Sequence, residues 1–456
     1  MTQAMSVTSK PVLAPGPRIP GAMVKLVQLS PFAIRQDQLK LNYDMMKQYG
    51  SVVCMHVGSI LIYFITEPDL IHEMLVQRPE DFRKAQLLRD SAGWMMGNGL
   101  LTSDGEFWKR QRKLAQPAFH HKRIEAYGTT MVEYTAQMLE TWKSKPSIDL
   151  FNEMMALTLR IVNKTLFNVD LTSQVERIGA LMTTILAAAN DKLEVVPTLA
   201  DKLAVFKRRR EQQALADINA IIKQIIEEHR QAKSDSGDLL TMLLEARDEN
   251  DQPMPEQQLQ DEVMTLFVAG HETSANGLTW ALYLLATHPE VEAKLRQEIK
   301  QVLGGRPPTI ADLAQMPYGE MVVKETMRLY PPAGGVTREP IHDTQLGGYL
   351  IPAGTLIGVS TYAMHRNPKF FPDPEAFDPE RFSKEREAAI PKYAYLPFGG
   401  GPRVCIGNSF AMMEIRLAIA TILQRYQLTV ENKEPVTAEQ QFTIRPKQRI
   451  VMRVNG

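Results

Sequence analysis

Cys405 is the residue of this chain best suited to chemistry, and it is one of only two cysteines. It stands near the end of a glycine-rich decamer, Phe398 to Gly407, which reads Phe-Gly-Gly-Gly-Pro-Arg-Val-Cys-Ile-Gly. The residues from Asn408 onward have the spacing of an amphipathic helix. We therefore expect Cys405 to lie just before a helix N-terminus. There, unpaired N–H groups and the helix dipole favour the thiolate, the form that acts as a nucleophile or a metal ligand.

Spacing separates several kinds of site that use a cysteine or a glycine-rich loop. A phosphate-binding P-loop needs a Lys-Ser/Thr pair at its end, and none follows here. A phosphatase-type cysteine needs an arginine six positions later, where this chain has Ala411. A structural zinc site needs more cysteines or histidines nearby, whereas the other cysteine is Cys54. Apart from an ordinary buried thiol, the remaining interpretation is a single thiolate ligand to a large, flat group.

A second candidate region is the long helix predicted from Glu256 to just before Pro289, about 48 Å in length. Small residues recur on one face of it at i, i+3, i+4 and i+7: Gly270, Thr273, Ser274 and Gly277. An interior glycine costs a helix about 1 kcal/mol, so either another helix packs closely there or a flat ligand approaches. Glu272 and Thr273 lie on or beside this face of small residues, where they could hold water and relay protons.

Two further pairs have helical spacing. Trp108 and Arg112, four residues apart, place an indole N–H and a guanidinium on one face, and both can hold a carboxylate. Glu325 and Arg328 stand at i and i+3, which as an exposed pair would stabilise a helix by only a few tenths of a kcal/mol.

Taken together, these motifs resemble those of the cytochrome P450 family of haem-thiolate monooxygenases. The decamer fits that family's signature at six positions: Phe398, Gly399, Gly401, Arg403, Cys405 and Gly407. The segment from Ala269 to Ser274 is similar to the family's oxygen-activation motif. Glu325-x-x-Arg328 and the later Pro379-Glu380-Arg381-Phe382 are similar to its buried Glu-Arg-Arg triad.

The resemblance implies a mainly α (α+β) fold, a helical prism around haem with a small β region, in a single domain spanning residues 1–456. It implies that Cys405 is the metal ligand, and that its thiolate pushes electron density toward iron. The resemblance also implies that haem b is bound by Trp108, Arg112, Ala269, Gly270, Arg338, Phe398, Arg403 and Gly407. Trp108 and the three arginines would hold the propionates. Glu272 and Thr273 would be the catalytic residues that deliver protons during oxygen activation.

The reaction that the resemblance implies is the insertion of one oxygen atom from dioxygen into a small lipophilic substrate, by hydroxylation or epoxidation. A fatty acid or a terpenoid is the favoured substrate. No FMN or FAD domain fits after Gly456, so we expect electrons from a separate ferredoxin or flavodoxin-type reductase system. A non-catalytic haem-thiolate sensor or carrier is the alternative, and it would not need Glu272 and Thr273. A cysteine-nucleophile hydrolase is a further alternative, and it would need no haem.

Composition and the first residues of the chain indicate the class of protein, its possible partners and its cellular compartment. Lys+Arg and Asp+Glu both total 52, so nothing suggests a nucleic-acid partner. With 44% hydrophobic and 23% charged residues, the chain is typical of a globular protein. Two distant cysteines fit a reducing compartment. The first twenty residues contain four prolines and no membrane-spanning run. We therefore expect a cytoplasmic protein without a membrane anchor. Because many members of the family outside bacteria begin with such an anchor, the resemblance then implies a bacterial-type member, and we expect a monomer.

Other segments give local predictions. The stretch from Val76 to Leu101 is expected to be irregular, with its Trp and Met residues facing substrate or filling the core. Thr287-His288-Pro289-Glu290 predicts a helix-opening capping box. Gln441–Ile444 and Arg449–Val454 predict a terminal hairpin whose tip could touch substrate. His271 is expected to face away from the haem. A basic cluster could receive an acidic electron-transfer partner or be a solvated helix face; it comprises Lys109, Arg110, Lys113, His120, His121, Lys122 and Arg123.

Overall fold

Helices make up most of the chain. The computed structural model describes residues 12–20, 37–170, 174–192, 205–232, 238–247 and 251–456. The longer helices are α1 (Gln38–Tyr49), α3 (Gln86–Met96), α4 (Gly105–Ala115), α5 (His121–Trp142), α6 (Leu150–Phe167), α7 (Val175–Lys192), α8 (Val205–Ala232), α10 (Glu256–Thr287), α11 (Pro289–Leu303), α13 (Pro317–Leu329) and α16 (Asn408–Leu423). The short ones are α2 (Pro68–His72), α9 (Leu239–Glu245), α12 (Ile310–Leu313), α14 (Thr361–Met364) and α15 (Lys384–Glu387). Among the described helices, none is long and apolar enough to cross a membrane.

The strands form a small β region. They are β1 (Arg18–Ile19), β2 (Val52–Val57), β3 (Ile60–Ile65), β4 (Phe82–Arg83), β5 (Ser147–Asp149), β6 (Gly335–Pro340), β7 (Thr344–Leu346), β8 (Tyr349–Ile351), β9 (Leu356–Ser360), β10 (Gln427–Val430), β11 (Ala438–Gln440), β12 (Ile444–Pro446) and β13 (Val451–Asn455). The largest sheet has the order β1-β2-β3-β9-β6-β4. Its β2–β3 hairpin turns at Gly58, as predicted from the sequence. The fold is therefore mainly α with a small β region, as expected.

Helix α10 runs through the main hydrophobic core, and most of its side chains are buried. Its two glycines lie where neighbouring helices come closest. A Cβ atom added to Gly270 would lie 2.6 Å from Cγ2 of Val162 on α6, and one added to Gly277 would lie 2.7 Å from Cδ1 of Ile415 on α16. Both distances are far below van der Waals contact. Close helix packing therefore explains both glycines, and it holds α10 against the helix that follows Cys405.

The loop between α3 and α4 also approaches α10 closely. A Cβ atom on Gly99 would lie 2.1 Å from Oγ1 of Thr265. The carboxylate of Asp261 accepts the backbone N–H of Asn98 at 2.8 Å, and that of Glu262 accepts the N–H of Leu100 at 3.0 Å. Two carboxylates of α10 thus fix the loop that leads into α4.

The expectation of an irregular stretch between Val76 and Leu101 was wrong, because α3 forms within it. Met95 and Met96 are buried in the main core, and Lys192 at the end of α7 lies 4.8 Å from the ring centroid of Trp94. Tertiary packing against α7 therefore outweighs the helix-weakening effect of Gly93.

The predicted capping box was also wrong. Thr287 is still part of α10, and its hydroxyl donates backward to the carbonyl of Tyr283 at 3.0 Å. His288 is the N-cap residue of α11 and makes no side-chain capping bond. A threonine hydroxyl that bonds to the preceding turn is not available to the next helix.

The predicted terminal hairpin was wrong in its pairing. The second segment, β13, pairs with β10 and β5, whereas β12 pairs with β11. Residues Gln441–Thr443 therefore form the tip of a β11–β12 hairpin. The alternating pattern identified strands, but their partners are set by packing between distant parts of the chain.

Candidate active site

The decamer loop has the predicted position before a helix, since α16 begins at Asn408. The backbone N–H of Cys405 donates to the carbonyl of Phe398 at 3.0 Å and closes the loop. Gly401 has a φ of +67°, and a Cβ atom there would lie 1.9 Å from the carbonyl oxygen of Leu75. Only glycine satisfies both conditions. The loop is thus held rigidly against the segment around Leu75.

The thiol of Cys405 is exposed, yet protein surrounds it closely enough for desolvation to raise its pKa. The side chain thus has accessible surface although protein atoms surround it. The backbone N–H of Gly407 and the charge of Arg112 act in the opposite direction but do not outweigh burial in setting the pKa. The N–H group near the helix N-terminus thus favours the thiolate as expected, but burial outweighs this effect on the pKa. A buried sulfur of this kind becomes a thiolate when it binds a metal cation.

Part of α10 has accessible surface in the middle of an otherwise buried helix. Ala269 is exposed, while Gly270 and Thr273 are half-buried; their neighbours from Val263 to Val268 are buried. The hydroxyl of Thr273 donates to the carbonyl of Ala269 at 2.6 Å. These residues are those assigned to the cofactor and to oxygen activation from the sequence, and they share one accessible face.

Glu272 and His271, by contrast, are buried. Burial raises the pKa of Glu272, and its Oε1 accepts the hydroxyl of Thr443 at 2.7 Å. His271 lies beside α6, where the hydroxyl of Thr158 donates to its carbonyl at 3.0 Å. Burial lowers the pKa of His271 to about 4, so its imidazole is neutral at pH 7.

A cluster of cations lies beside the cysteine loop. The guanidinium of Arg403 lies 3.9 Å from the ring centroid of Trp108, donates to the carbonyl of Ser103 at 2.7 Å and pairs with Asp104. Arg112 donates to the carbonyl of Val404 at 2.8 Å. The predicted pair on α4 therefore meets the loop that carries Cys405.

Two more cations complete this cluster, Arg338 on β6 and Lys84 after β4. Burial lowers the pKa of Arg338 and of Arg403 to about 10. Burial also lowers the pKa of Lys84 well below its ordinary value. Both arginines also lower the pKa of Lys84, while Asp104 raises it. Sequence reasoning missed Lys84 and Asp104, because nothing in the sequence distinguishes them from surface residues.

This cluster has an excess of positive charge. Within the described ranges, Asp104 is the one carboxylate that pairs with any of its four cations, through Arg403. Arg112, Arg338 and Lys84 form no ion pair within that part of the chain. Buried charge without a partner is costly. The cluster is therefore built to receive anionic groups, and carboxylates suit its guanidinium donors.

The predicted triad is confirmed. Arg328 forms a bidentate pair with Glu325, at 2.7 and 2.8 Å, and both side chains are fully buried. Arg381 donates to the same carboxylate at 3.4 Å. The other Arg328 donors reach the carbonyls of His365, Pro374 and Ala376. The triad thus ties α13 to the chain that leads to the cysteine loop.

A buried histidine connects the triad with that loop. Nε2 of His365 accepts the backbone N–H of Leu396 at 3.0 Å, so its Nδ1 carries the proton and donates to the carbonyl of Arg328 at 3.1 Å. Burial lowers the pKa of His365 to about 3, which keeps it neutral. Leu396 stands two residues before Phe398, whose carbonyl anchors Cys405.

The family model for cytochrome P450 matches residues 15–453 of this chain. The chain belongs to the cytochrome P450 family. It is 38% identical over 384 residues to cyclooctatin synthase of Streptomyces melanosporofaciens, which covers 83% of each chain. It is 36% identical to cyclooctat-9-en-7-ol 5-monooxygenase of the same organism, again over 83% of each chain. Pentalenene oxygenase of Streptomyces avermitilis is 32% identical, over 90% of this chain and 91% of its own.

The residues of this cytochrome P450 fit a haem-thiolate centre, and the protein is a monooxygenase. Cys405 has accessible surface and would ligate the iron, which would reverse the effect of burial on its pKa. The buried Arg338 and the half-buried Arg112 and Arg403 have guanidinium donors that would hold the propionates. When bound, the haem iron supplies the reductive activation of dioxygen.

Proposed function

We propose that this cytochrome P450 oxidises a terpenoid by inserting one oxygen atom from dioxygen, with a hydroxylated or epoxidised product. For hydroxylation, substrate, dioxygen, two electrons and two protons give the alcohol and one water. The observation that carries the proposal is an accessible Cys405 at the end of the glycine-rich loop in a chain whose helix α10 combines a buried Glu272 with an accessible Thr273. The chain acts as a single domain over residues 1–456, with haem b as its cofactor.

The relatives support a terpenoid over a fatty acid. The bacterial relatives modify terpenoids, and the three described above match at least 83% of this chain. Their sources also favour a bacterial protein, and we propose that it works in the cytoplasm. A monomer is the simplest form of such an enzyme.

Glu272 and Thr273 have separate roles in this proposal. Desolvation favours the protonated form of the Glu272 carboxyl, so it can hold a proton near the accessible face of α10. The hydroxyl of Thr273 lies on that face and can pass the proton onward. Burial of the carboxyl keeps bulk water away from it.

Electrons come from a separate ferredoxin or flavodoxin-type system. Helix α4 carries three exposed basic residues, Lys109, Arg110 and Lys113. Trp108 and Arg112 of the same helix contact the cysteine loop. An acidic partner bound there would be close to the cofactor, and electrostatic attraction would speed its association. His120 is also exposed, whereas the side chains of residues 121–123 lie outside the described part of the chain.

The decisive experiment is the absorbance change when carbon monoxide is added to the dithionite-reduced protein. We expect the long-wavelength Soret band that is specific to a cysteinate opposite carbon monoxide, and we expect Cys405→Ala to abolish it. Substrate-induced spin shifts should then be larger with cyclic terpenoids than with fatty acids. A histidine-like Soret band with Cys405 intact would overturn the proposal.

A non-catalytic haem-thiolate sensor or carrier would give the same spectrum, so a second variant is needed. Thr273→Ala should raise the share of consumed NADPH that appears as hydrogen peroxide, on the order of tenfold, because a proton donor is lost. If the protein is a sensor, Thr273→Ala would leave ligand-dependent signalling or binding unchanged. The unaltered protein would then also form no product with any terpenoid tested.

A further inference from the structure

Thr443 connects the β11–β12 hairpin with α10 through a buried polar cluster. Its hydroxyl donates to Oε1 of Glu272 at 2.7 Å and accepts from Nδ2 of Asn276 at 3.0 Å. Nδ2 of Asn276 also donates to the carbonyl of Glu272 at 3.1 Å. All three residues are buried, with 4% or less of their surface exposed.

The hairpin that carries Thr443 is fixed by its backbone. The N–H of Ile444 donates to the carbonyl of Pro332 at 2.9 Å. Strand β12 pairs in register with β11, with Gln440 opposite Ile444. A short β-branched side chain on such a backbone has few rotamers. The hydroxyl of Thr443 is therefore a fixed point for the flexible carboxyl of Glu272.

One oxygen of that carboxyl remains available. Oε1 of Glu272 is taken by Thr443, whereas Oε2 is buried and has no partner within the described part of the chain. Oε1 therefore serves as the anchored acceptor, and Oε2 is the atom that can carry a proton. Arg445 in β12 favours the ionised form of Glu272 from a distance and itself pairs with Glu439 at 3.1 Å.

We propose that Thr443 is a positioning residue for the proton relay: its hydroxyl orients the Glu272 carboxyl so that Oε2 delivers the proton. This inference rests on the proposed monooxygenase function. Thr443 transfers no net proton itself. Because it sits at the tip of a hairpin 171 positions from Glu272 in the sequence, it makes proton delivery depend on where that hairpin lies.

The test compares Thr443→Val, which keeps the shape and removes the hydroxyl, with Thr443→Ser, which keeps the hydroxyl. Thr279→Val is the matched control, because Thr279 is a buried threonine of α10 whose hydroxyl has no described partner. The melting temperature and the carbon monoxide spectrum of the reduced protein establish that each variant is folded and holds haem.

The first readout is independent of turnover. The infrared difference spectrum between the unaltered protein and Glu272→Gln locates the Glu272 carboxyl band, whether protonated or ionised. We expect this band to shift in Thr443→Val, because a hydrogen bond to Oε1 is lost, and to stay in place in Thr443→Ser and Thr279→Val. An unshifted band in Thr443→Val would overturn the inference.

The second readout is the product of oxygen reduction by the protein without substrate, supplied with NADPH, a ferredoxin and its reductase. Two electrons and two protons per dioxygen give peroxide, and four of each give water. Thr443→Val should raise the ratio of peroxide to water on the order of tenfold, and Thr443→Ser should restore it. A purely structural role would lower the melting temperature and leave this ratio unchanged.

The two proposals fail in different ways. If the carbon monoxide spectrum shows no cysteinate ligand, the proposed function is wrong, while the infrared band still reports the Thr443–Glu272 hydrogen bond. If the spectrum is as expected and Thr273→Ala raises the peroxide share but Thr443→Val does not, the relay works without Thr443. In that case only the inference about Thr443 is wrong.

Discussion

The imidazole of His365 accepts the backbone N–H of Leu396 at 3.0 Å while it donates to the carbonyl of Arg328 at 3.1 Å. It is fully buried and stacks on Tyr395, whose hydroxyl donates to the carbonyl of Lys324 at 3.0 Å. The neutral ring thus joins helix α13 to the start of the cysteine loop by two bonds that require one tautomer.

Replacing His365 with Phe should therefore displace the cysteine loop. The substitution leaves the Leu396 N–H and the Arg328 carbonyl without partners, and each unpaired buried group costs about 1–3 kcal/mol. We expect a lower melting temperature and a partial loss of the cysteinate-type carbon monoxide band. His342→Phe is the control, because His342 is exposed. An unchanged spectrum and melting temperature in His365→Phe would show that the ring does not hold the loop.

Stability should depend on pH through Glu262. Burial raises the pKa of this carboxyl from 4.5 to about 7, despite its hydrogen bonds from Leu100 and Gln258. The folded protein thus holds this proton more tightly than the unfolded chain. Its contribution is fully present below about pH 4.5 and is lost as the pH rises through 7, by about 3 kcal/mol.

Glu262→Gln should flatten this part of the pH profile while keeping the acceptor for Leu100. Urea unfolding between pH 4.5 and 7.5 measures the slope. Part of the slope should remain, because burial also raises the pKa of Glu414 to about 8. Glu385→Gln on the exposed helix α15 is the control and should leave the profile unchanged. Equal slopes in all three proteins would contradict the assignment to Glu262.

Lys84 should help to retain the haem. Its ammonium group lies near Arg338 and Arg403 and has no ion-pair partner among the residues that the structure describes, which fits a propionate contact. Lys84→Met should speed haem transfer to apomyoglobin by roughly ten- to a hundredfold, since a hydrogen bond to a charged group contributes about 1.5–3 kcal/mol. Lys384→Met on exposed α15 should not change the transfer rate. An equal effect of both substitutions would argue against a specific contact.

Replacement by alanine should have opposite effects on stability at Gly93, inside α3, and at Gly99, in the loop between α3 and α4. Gly99→Ala would place a methyl group 2.1 Å from Oγ1 of Thr265 and 2.7 Å from the carbonyl oxygen of Asp261. We therefore expect the free energy of unfolding to fall by about 1–3 kcal/mol. Gly93→Ala, inside α3 with open space around it, should stabilise by about 1 kcal/mol. Thermal unfolding of the two variants measures both effects. Similar melting temperatures would mean that the loop can move away from α10.

The sequence alone predicts the helix and the motifs of the candidate site, but it misses α3 and some of the partners of the predicted elements. The helix of Glu272 and Thr273 and the triad of Glu325 and Arg328 follow from residue spacing and from the family resemblance. Thr443, which holds Glu272, does not, because a hydrogen bond across 171 positions depends on how two surfaces pack.

The strands near the C-terminus show the same limit. Alternation of apolar and polar residues predicts that Val451–Asn455 is extended, but nothing local specifies that it pairs with β5 and β10. The state of Cys405 is a further case. Proximity to a helix predicts a lowered thiol pKa, whereas burial, which depends on the whole fold, raises that pKa.

The contact between Gly401 and the carbonyl of Leu75 joins parts of the chain that are 326 positions apart. During synthesis on the ribosome, Leu75, Arg112 and Arg338 are all made well before Cys405. The partially made chain therefore contains some of the residues for the propionates before it contains the ligand for the iron. Haem can reach its final coordination only after Cys405 has been made and its loop has closed against Leu75.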